Sequence, residues 1–241
     1  APLPDRPFLD EVKTAPGQLR IAVTTEAFNG APTDPECRAA VESVAQLCRD
    51  LGHRVDDAAP TIDADRLGRA TGTIVGANIL ANLEERAEAL GRPWTEDDVE
   101  PLTWSMARNA RDAGSGDYAR AIRTVHQVGR TVGRFFEDWD VLLSPTMACL
   151  PKPIGVLSLA TEARDEYMDH LRETIGYTQL MNVAGNSAMS VPLAWSESGL
   201  PIGIQFAARF GDEATLYRLA GQLEEARPWR DRRPDSGGRT P

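Results

Sequence analysis

Apolar positions along this chain recur with two different spacings. Compact apolar runs occupy 18–24, 140–146, 188–195 and 202–208, with a weaker one at 54–59. Their length and the Gly, Pro, Asn and Ser that bound the last two predict buried strands. Elsewhere apolar residues return every three or four positions, which predicts helices. In the clearest case Cys37, Ala40, Val41, Val44, Leu47, Cys48 and Leu51 share one face, ended by Gly52. Its start is either a capping box of Thr33 and Glu36, or an Asp34 cap with Pro35 as first helical residue. The stretch 65–90 is apolar nearly all round, through Ile74, Val75, Ala77, Ile79, Leu80, Ala81 and Leu83, and so predicts a buried helix. Amphipathic helices are expected at 95–111 and 117–139, the latter with a stripe of Tyr118, Ile122, Val125, Val132, Phe136 and Trp139. Another helix is expected over 163–183, and one more runs to Glu225.

These elements imply an α/β fold, with helices flanking a mixed sheet. The strand, helix, strand order over 18–59 has a crossover long enough for a parallel pairing. The connector 196–201 carries Gly199 and Pro201, suits a reversal, and so favours an antiparallel pairing of the last two strands. The loop 147–160 has two Pro and no period. It follows a strand, where ligands gather in open α/β sheets. Gly72 and Gly76, four residues apart on one helix face, allow close packing or a close-approaching ligand, with packing the plainer reading.

At 241 residues the chain is long enough for a sizeable core. Its net charge of -10 and pI near 4.9 disfavour a phosphate-binding surface, so no nucleic-acid partner is expected. No apolar run approaches the roughly 20 residues of a membrane span. Cys37, Cys48 and Cys149 make no disulfide framework. The first two lie about 16 Å apart along one helix, beyond the disulfide limit of about 7 Å. Free thiols point to a reducing compartment and a cytoplasmic location. The Pro-rich opening 1–7 reads as a linker, and 230–241 as a disordered tail after a single domain over 1–229.

Candidate chemistry is sparse. Cys149, with His126 or His170, is the material of a thiolate dyad, but no third orienting group stands at a diagnostic spacing, and a packed or pocket-lining Cys149 is the plainer reading. His53, His126 and His170 show no metal-ligand spacing and read as surface or capping residues. Neither nucleotide-binding Gly motif is present, so no cofactor is expected.

The order N-x-x-G-x-x-A-x-S-V-P, a short gap, then G-L-P-x-G-x-Q is the least ordinary pattern in the chain. It comprises Asn182, Gly185, Ala188, Ser190, Val191, Pro192, Gly199, Leu200, Pro201, Gly203 and Gln205, and resembles the C-terminal signature of the amidase signature family. Asp140, Leu142, Pro145 and Thr146 resemble that family's D-x-L-x-x-P-T strand, and 210–216 its ending. Ser187 stands where the family usually has Pro. The resemblance extends upstream to Gly17 and implies the C-terminal half of the amidase signature fold.

That family hydrolyses amides through a Ser nucleophile, a bridging Ser and a Lys base, with a Gly and Ser rich loop as oxyanion hole. None of this set is evident here. The only lysines are Lys13 and Lys152, and Ser115, between Gly114 and Gly116, reads as a helix start. No catalytic residue is therefore assigned, and the isolated chain is expected to be inactive. The resemblance implies an amidase whose triad lies in a missing N-terminal half, with this chain as the facing wall of the cleft for a small-molecule amide. Asn78, Cys149, Asn186 and Ser187 are the candidate substrate-binding residues. The alternative is a non-catalytic interaction subunit of an amidotransferase-like assembly; pairing of two copies is left open.

Overall fold

The computed structural model describes residues 4–233. Its elements follow in order: α1 Phe8–Glu11, β1 Arg20–Val23, α2 Pro35–Asp50, β2 Arg54–Asp57, α3 Ala64–Leu90, α4 Pro101–Ala110, α5 Ser115–Asp138, β3 Val141–Pro145, α6 Arg164–Thr174, α7 Thr178–Ala184, β4 Ala188–Trp195, β5 Pro201–Ala208 and α8 Glu213–Ala226. The chain divides into two compact units. One holds the sheet and takes residues up to Thr61, Arg130–Pro151 and the chain from Glu173; the other takes Ile62–Gly129 and Lys152–Arg172.

The sheet runs β2-β1-β3-β5-β4. β1 lies parallel to β2 and β3, while β5 runs antiparallel to both β3 and β4. Alternation then sorts each strand's residues between two faces. Ile21, Val23, Val141, Leu143, Ile204, Phe206, Val191 and Leu193 point to one face, where Val41 and Val44 of α2 and Leu219 and Leu223 of α8 complete the core. The other face carries smaller and more polar side chains. Ala22, Ser144, Gln205 and Ala207 are buried there, whereas Ala188 and Ser190 are exposed.

Particular side chains set the joints. Asp34 caps α2, its carboxylate accepting the Glu36 N–H at 2.8 Å, with Pro35 at the first helical position. Arg20 fixes β1 against β3 through two charged contacts of 2.8 and 3.2 Å to the Asp140 carboxylate, which also accepts the Arg20 N–H. That pairing lowers the Asp140 pKa. His53 is buried, not a surface residue as expected. Its Nδ1 accepts the Leu19 N–H at 3.1 Å and its Nε2 lies 2.8 Å from Gln222 Oε1, so the ring joins β1, β2 and α8.

Three further expectations give way. The helix over 65–90 forms, but it is not buried: only Leu67, Ala70 and Gly76 are, and Val75 and Leu90 are exposed. Within its unit α3 meets α4 along one stripe, where a side chain at Gly76 would sit 3.3 Å from Ala110 Cβ; Gly72 faces open space. β4 is not fully buried either, because it is an edge strand. Pro192, which has no N–H to give a ladder, sits in its register shift between Val191 and Ala194. Third, the single helix over 163–183 is broken into α6 and α7 around Gly176. There the chain closes to within 3.1 Å of Ala27 Cβ, measured from where a Gly176 side chain would start. Next to it Tyr177 is fully buried, bonded to Thr33 Oγ1 at 2.6 Å, and burial pushes its pKa up to about 12.

The short α1 has no counterpart in the periodicity. It docks on α8, with Phe8 stacked on Tyr217 at 4.9 Å and the buried Glu11 carboxylate held between Arg6 and Arg218. Of the tail expected to be disordered, 234–241 lies outside the described residues, as does 1–3 of the Pro-rich opening.

Candidate functional site

At the C-terminal end of β3 the chain enters a loop that is pinned on three sides. Thr146 N donates to Gly203 O at 2.9 Å, Ala148 N to Glu173 O at 2.9 Å, and Asp34 N to Ala148 O at 2.7 Å. β5, the chain before α7 and the start of α2 thus fix the loop. Between it and the start of β5 opens a cavity of about 200 Å³, lined by Thr146, Met147, Cys149, Leu150, Pro151, Pro201, Ile202, Gly203 and, from α2, Cys37.

Its wall is mainly apolar, and Thr146 is the one hydroxyl-bearing residue that lines it. Register places Ser144, Gln205 and Ser190 side by side across β3, β5 and β4. Gln205 Nε2 donates to Ser144 Oγ at 3.1 Å, and one row further Thr146 Oγ1 and Ser190 Oγ are 2.6 Å apart. Gly203 lies beneath that pair. A Cβ there would stand 2.8 Å from Ser190 Oγ and 2.9 Å from Thr146 Oγ1, inside van der Waals contact, so only glycine lets the hydroxyls meet. On the cavity's α2 side, burial, with help from Asp34, pushes the Cys37 thiol up to about 12. That makes Cys37 an inert wall.

Within the sheet-bearing unit the structure separates Cys149 from Asn186 and Ser187. Cys149 lines the cavity, half-buried. Asn186 and Ser187 lie at the opposite end of β5, near Ala208, and their side chains are engaged: Asn186 Nδ2 donates to Ala208 O and Ser187 Oγ to Glu213 Oε1, both at 2.8 Å. Asn78 belongs to the second unit, where it is exposed on α3 and its amide donates back to Ile74 O at 2.7 Å. Thr146 and Gly203, by contrast, line the cavity, with Ser190 bonded to Thr146, although the sequence offered all three only as signature residues. The usable signal was period two: 144 and 146, 203 and 205, and 190 share the polar face.

Of the other candidates, Ser115 opens α5, and the Asp117 carboxylate accepts the Gly114 N–H at 3.0 Å. His126 is exposed on α5, and His170 on α6 faces Glu166 at 3.8 Å. Among the described residues no group of three His, Cys, Asp or Glu side chains converges as a metal site, and no helix is long and apolar enough to cross a membrane.

Comparison with known proteins decides the family. Residues 1–217 match the sequence profile of the Amidase family. The chain belongs to the amidase family. Among amidase-family relatives, the 6-aminohexanoate-cyclic-dimer hydrolase of Paenarthrobacter ureafaciens is 36% identical over 242 residues, covering 97% of this chain and 49% of its own length. The putative amidase AmiC of Mycobacterium leprae is 36% identical over 225 residues, 90% of this chain and 46% of its own. A solved 6-aminohexanoate cyclic dimer hydrolase superposes with a TM-score of 0.86 at 34% identity, over 98% of this chain and 50% of that one. A bacterial aryl acylamidase of the amidase signature family shares the fold, with a TM-score of 0.74 at 18% identity over 92% of this chain and 46% of that one. The mixed sheet flanked by helices is thus the fold of amidase signature enzymes. The chain spans about half the length of the curated relatives it matches.

Proposed function

We propose that this chain serves in amide hydrolysis as one wall of a substrate cleft, in a protein that works through a Ser acyl-enzyme. Family membership and the identity to cyclic-dimer hydrolases and amidases support the reaction class. The division of labour rests on one observation: the chain spans about half the length of those relatives. The nucleophile and base are accordingly assigned to the part of the relatives' length that this chain does not span. The substrate is a small-molecule amide, no cofactor takes part, and the three cysteines, which form no disulfide, favour a reducing compartment, the cytoplasm.

The test uses the reading frame around this chain, extended upstream in its DNA. The extended protein is assayed against anilides, linear amides and the cyclic 6-aminohexanoate dimer, with hydroxylamine added. An acyl-enzyme predicts one ratio of hydroxamate to acid whatever amine has left, because every substrate with a given acyl group passes through the same intermediate. This chain alone is expected to give no turnover. Turnover by this chain alone, a ratio that follows the leaving amine, or an extended protein inert on every amide would each overturn the proposal.

A further inference from the structure

We infer that the cavity at the C-terminal end of β3 is a binding site for a single soft cation of the copper(I) class, held by the sulfur atoms of Cys37, Met147 and Cys149. Such a site stands apart from amide hydrolysis, and neither depends on the other. The chain has three Cys and five Met, yet two of those Cys and one of those Met line this one cavity. The backbone fixes them. Ala148, between Met147 and Cys149, is buried in a separate cluster with Ala31 and Tyr177. Its N–H donates to Glu173 O, and its carbonyl accepts the N–H of Asp34, three residues before Cys37. With Ala148 turned away, Met147 and Cys149 flank a pinned peptide on the cavity side. The same bond ties their loop to the first turn of α2, which carries Cys37. Ligands on a scaffold held in this way are already ordered when the ion arrives.

The surroundings favour a cation. Cys149, Asp34 and Glu36 all lie close enough to act electrostatically on the Cys37 thiol, and no Lys or Arg lines the cavity. Sulfur then selects the metal. Thiolate and thioether ligands suit Cu(I), whereas zinc wants a full tetrahedral set of thiolate, imidazole or carboxylate. Among the described residues no group of three His, Cys, Asp or Glu side chains converges to supply one. The Cys37 thiol is inert while it keeps its proton, but a thiol that coordinates a metal gives that proton up to solvent. Copper stays in the +1 state throughout, so no oxidant or reductant is consumed. Cys37 is 2% exposed, and a bare ion in the cavity reaches a sulfur that a bulky disulfide reagent does not.

Anaerobic titration of the reduced chain with Cu(I), against a coloured Cu(I) chelator, tests the site. One equivalent of Cu(I) is expected to leave the chelator for the chain, giving a thiolate-to-metal absorption band and an X-ray absorption spectrum of sulfur ligands alone. Zn(II) is expected not to displace it. Cys37→Ser and Cys149→Ser are each expected to weaken Cu(I) by more than roughly 100-fold, above what loss of an outer-shell partner costs. Met147→Leu keeps the apolar bulk but loses the thioether, and is expected to weaken Cu(I) roughly 10-fold, as befits an uncharged soft ligand. Cys48→Ala is the control, because Cys48 is buried in the core beside α2's other apolar residues and does not line the cavity; it should bind Cu(I) as the native chain does. Cys149 is half-buried, so Cys149→Ser carries the test should Cys37→Ser fail to fold. No transfer of Cu(I), native affinity in Cys149→Ser or Met147→Leu, an equal loss in Cys48→Ala, or nitrogen among the ligands would overturn the site. None of these outcomes bears on amide turnover by the extended protein.

Discussion

Alanine at Gly221 is expected to destabilise the chain, although alanine at a helix-interior glycine normally stabilises it by about 1 kcal/mol. A Cβ on Gly221 would overlap the Val12 carbonyl oxygen and fall 3.3 Å from Val12 Cγ1. The oxygen is backbone and cannot rotate away, so α1 has to lift from α8. Overpacking of this kind costs about 1–3 kcal/mol. Losing the Phe8–Tyr217 stack, at 4.9 Å and 25° between planes, adds about 0.5–1.5 kcal/mol. Against the propensity gain, the net expectation is a loss of about 1–3 kcal/mol. For a chain of this size that lowers Tm by roughly 2–12 °C. Gly72 is the control, since a side chain there meets nothing within 4 Å; Gly72→Ala should raise Tm by about 2–4 °C. Thermal melts of both variants, with Phe8→Ala in each background, make the assay. Phe8→Ala should cost much less once Gly221→Ala has already lifted α1, because the two act on one contact. If Gly221→Ala stabilises as Gly72→Ala does, or if the Phe8→Ala cost is the same in both backgrounds, the docking of α1 on α8 is refuted.

Glu11 carries the clearest pH dependence. Hydrogen bonds from Arg218 and then Arg6 lower its pKa from 4.5 to about 2, so its contribution is present above pH 4.5 and is lost as pH falls through about 2; urea midpoints should drop across that window in the native chain and much less in Glu11→Gln. Cys37 and Cys48 are buried with thiols pushed up to about 12 by burial, so a disulfide reagent at neutral pH should label them only after unfolding, and labelling of either in the folded chain would contradict the packing. Gln205→Leu strips the buried Ser144 hydroxyl of its amide donor and should cost about 1–3 kcal/mol in urea unfolding, with Ser144→Ala restoring much of it in the double variant, since removing both partners is cheaper than removing one.

Two strand pairings were legible where periodicity and punctuation agreed. Apolar runs, Gly199 with Pro201, and the crossover after 18–24 were enough to anticipate one antiparallel and one parallel pairing. The Asp34 and Pro35 start of α2 was among the two starts the sequence left open. What was not legible depended on partners distant in sequence. Periodicity reports apolarity, not what covers it, so α3 and β4 both looked buried. His53 is buried through the Leu19 N–H and Gln222, 34 and 169 positions away, which no local pattern encodes. Gly176 was visible as a breaker, but its force comes from Ala27 and Ala148. At the site, Cys149 was singled out because it lies in the loop after a strand, whereas Thr146, Ser190 and Gly203 meet only once three strands are in register.

The contact between Arg20 and Asp140 also bears on the order in which the sheet assembles. These residues are 120 positions apart, while β4 and β5 meet across the short turn from Trp195 to Pro201. Closing the longer loop costs about 3 kcal/mol more in chain entropy, and that cost falls due before the parallel seam returns anything. The hairpin with α8 can gather locally; β1 and β3 must wait for the chain between them. In pulse-labelled refolding, amides of β4 and β5 should therefore become protected before those of β1, and simultaneous protection would show that the seam closes in the first step. Until it closes, β3 has an open edge on the side β1 will occupy, and in that interval the chain is most prone to pair with a second unfolded copy.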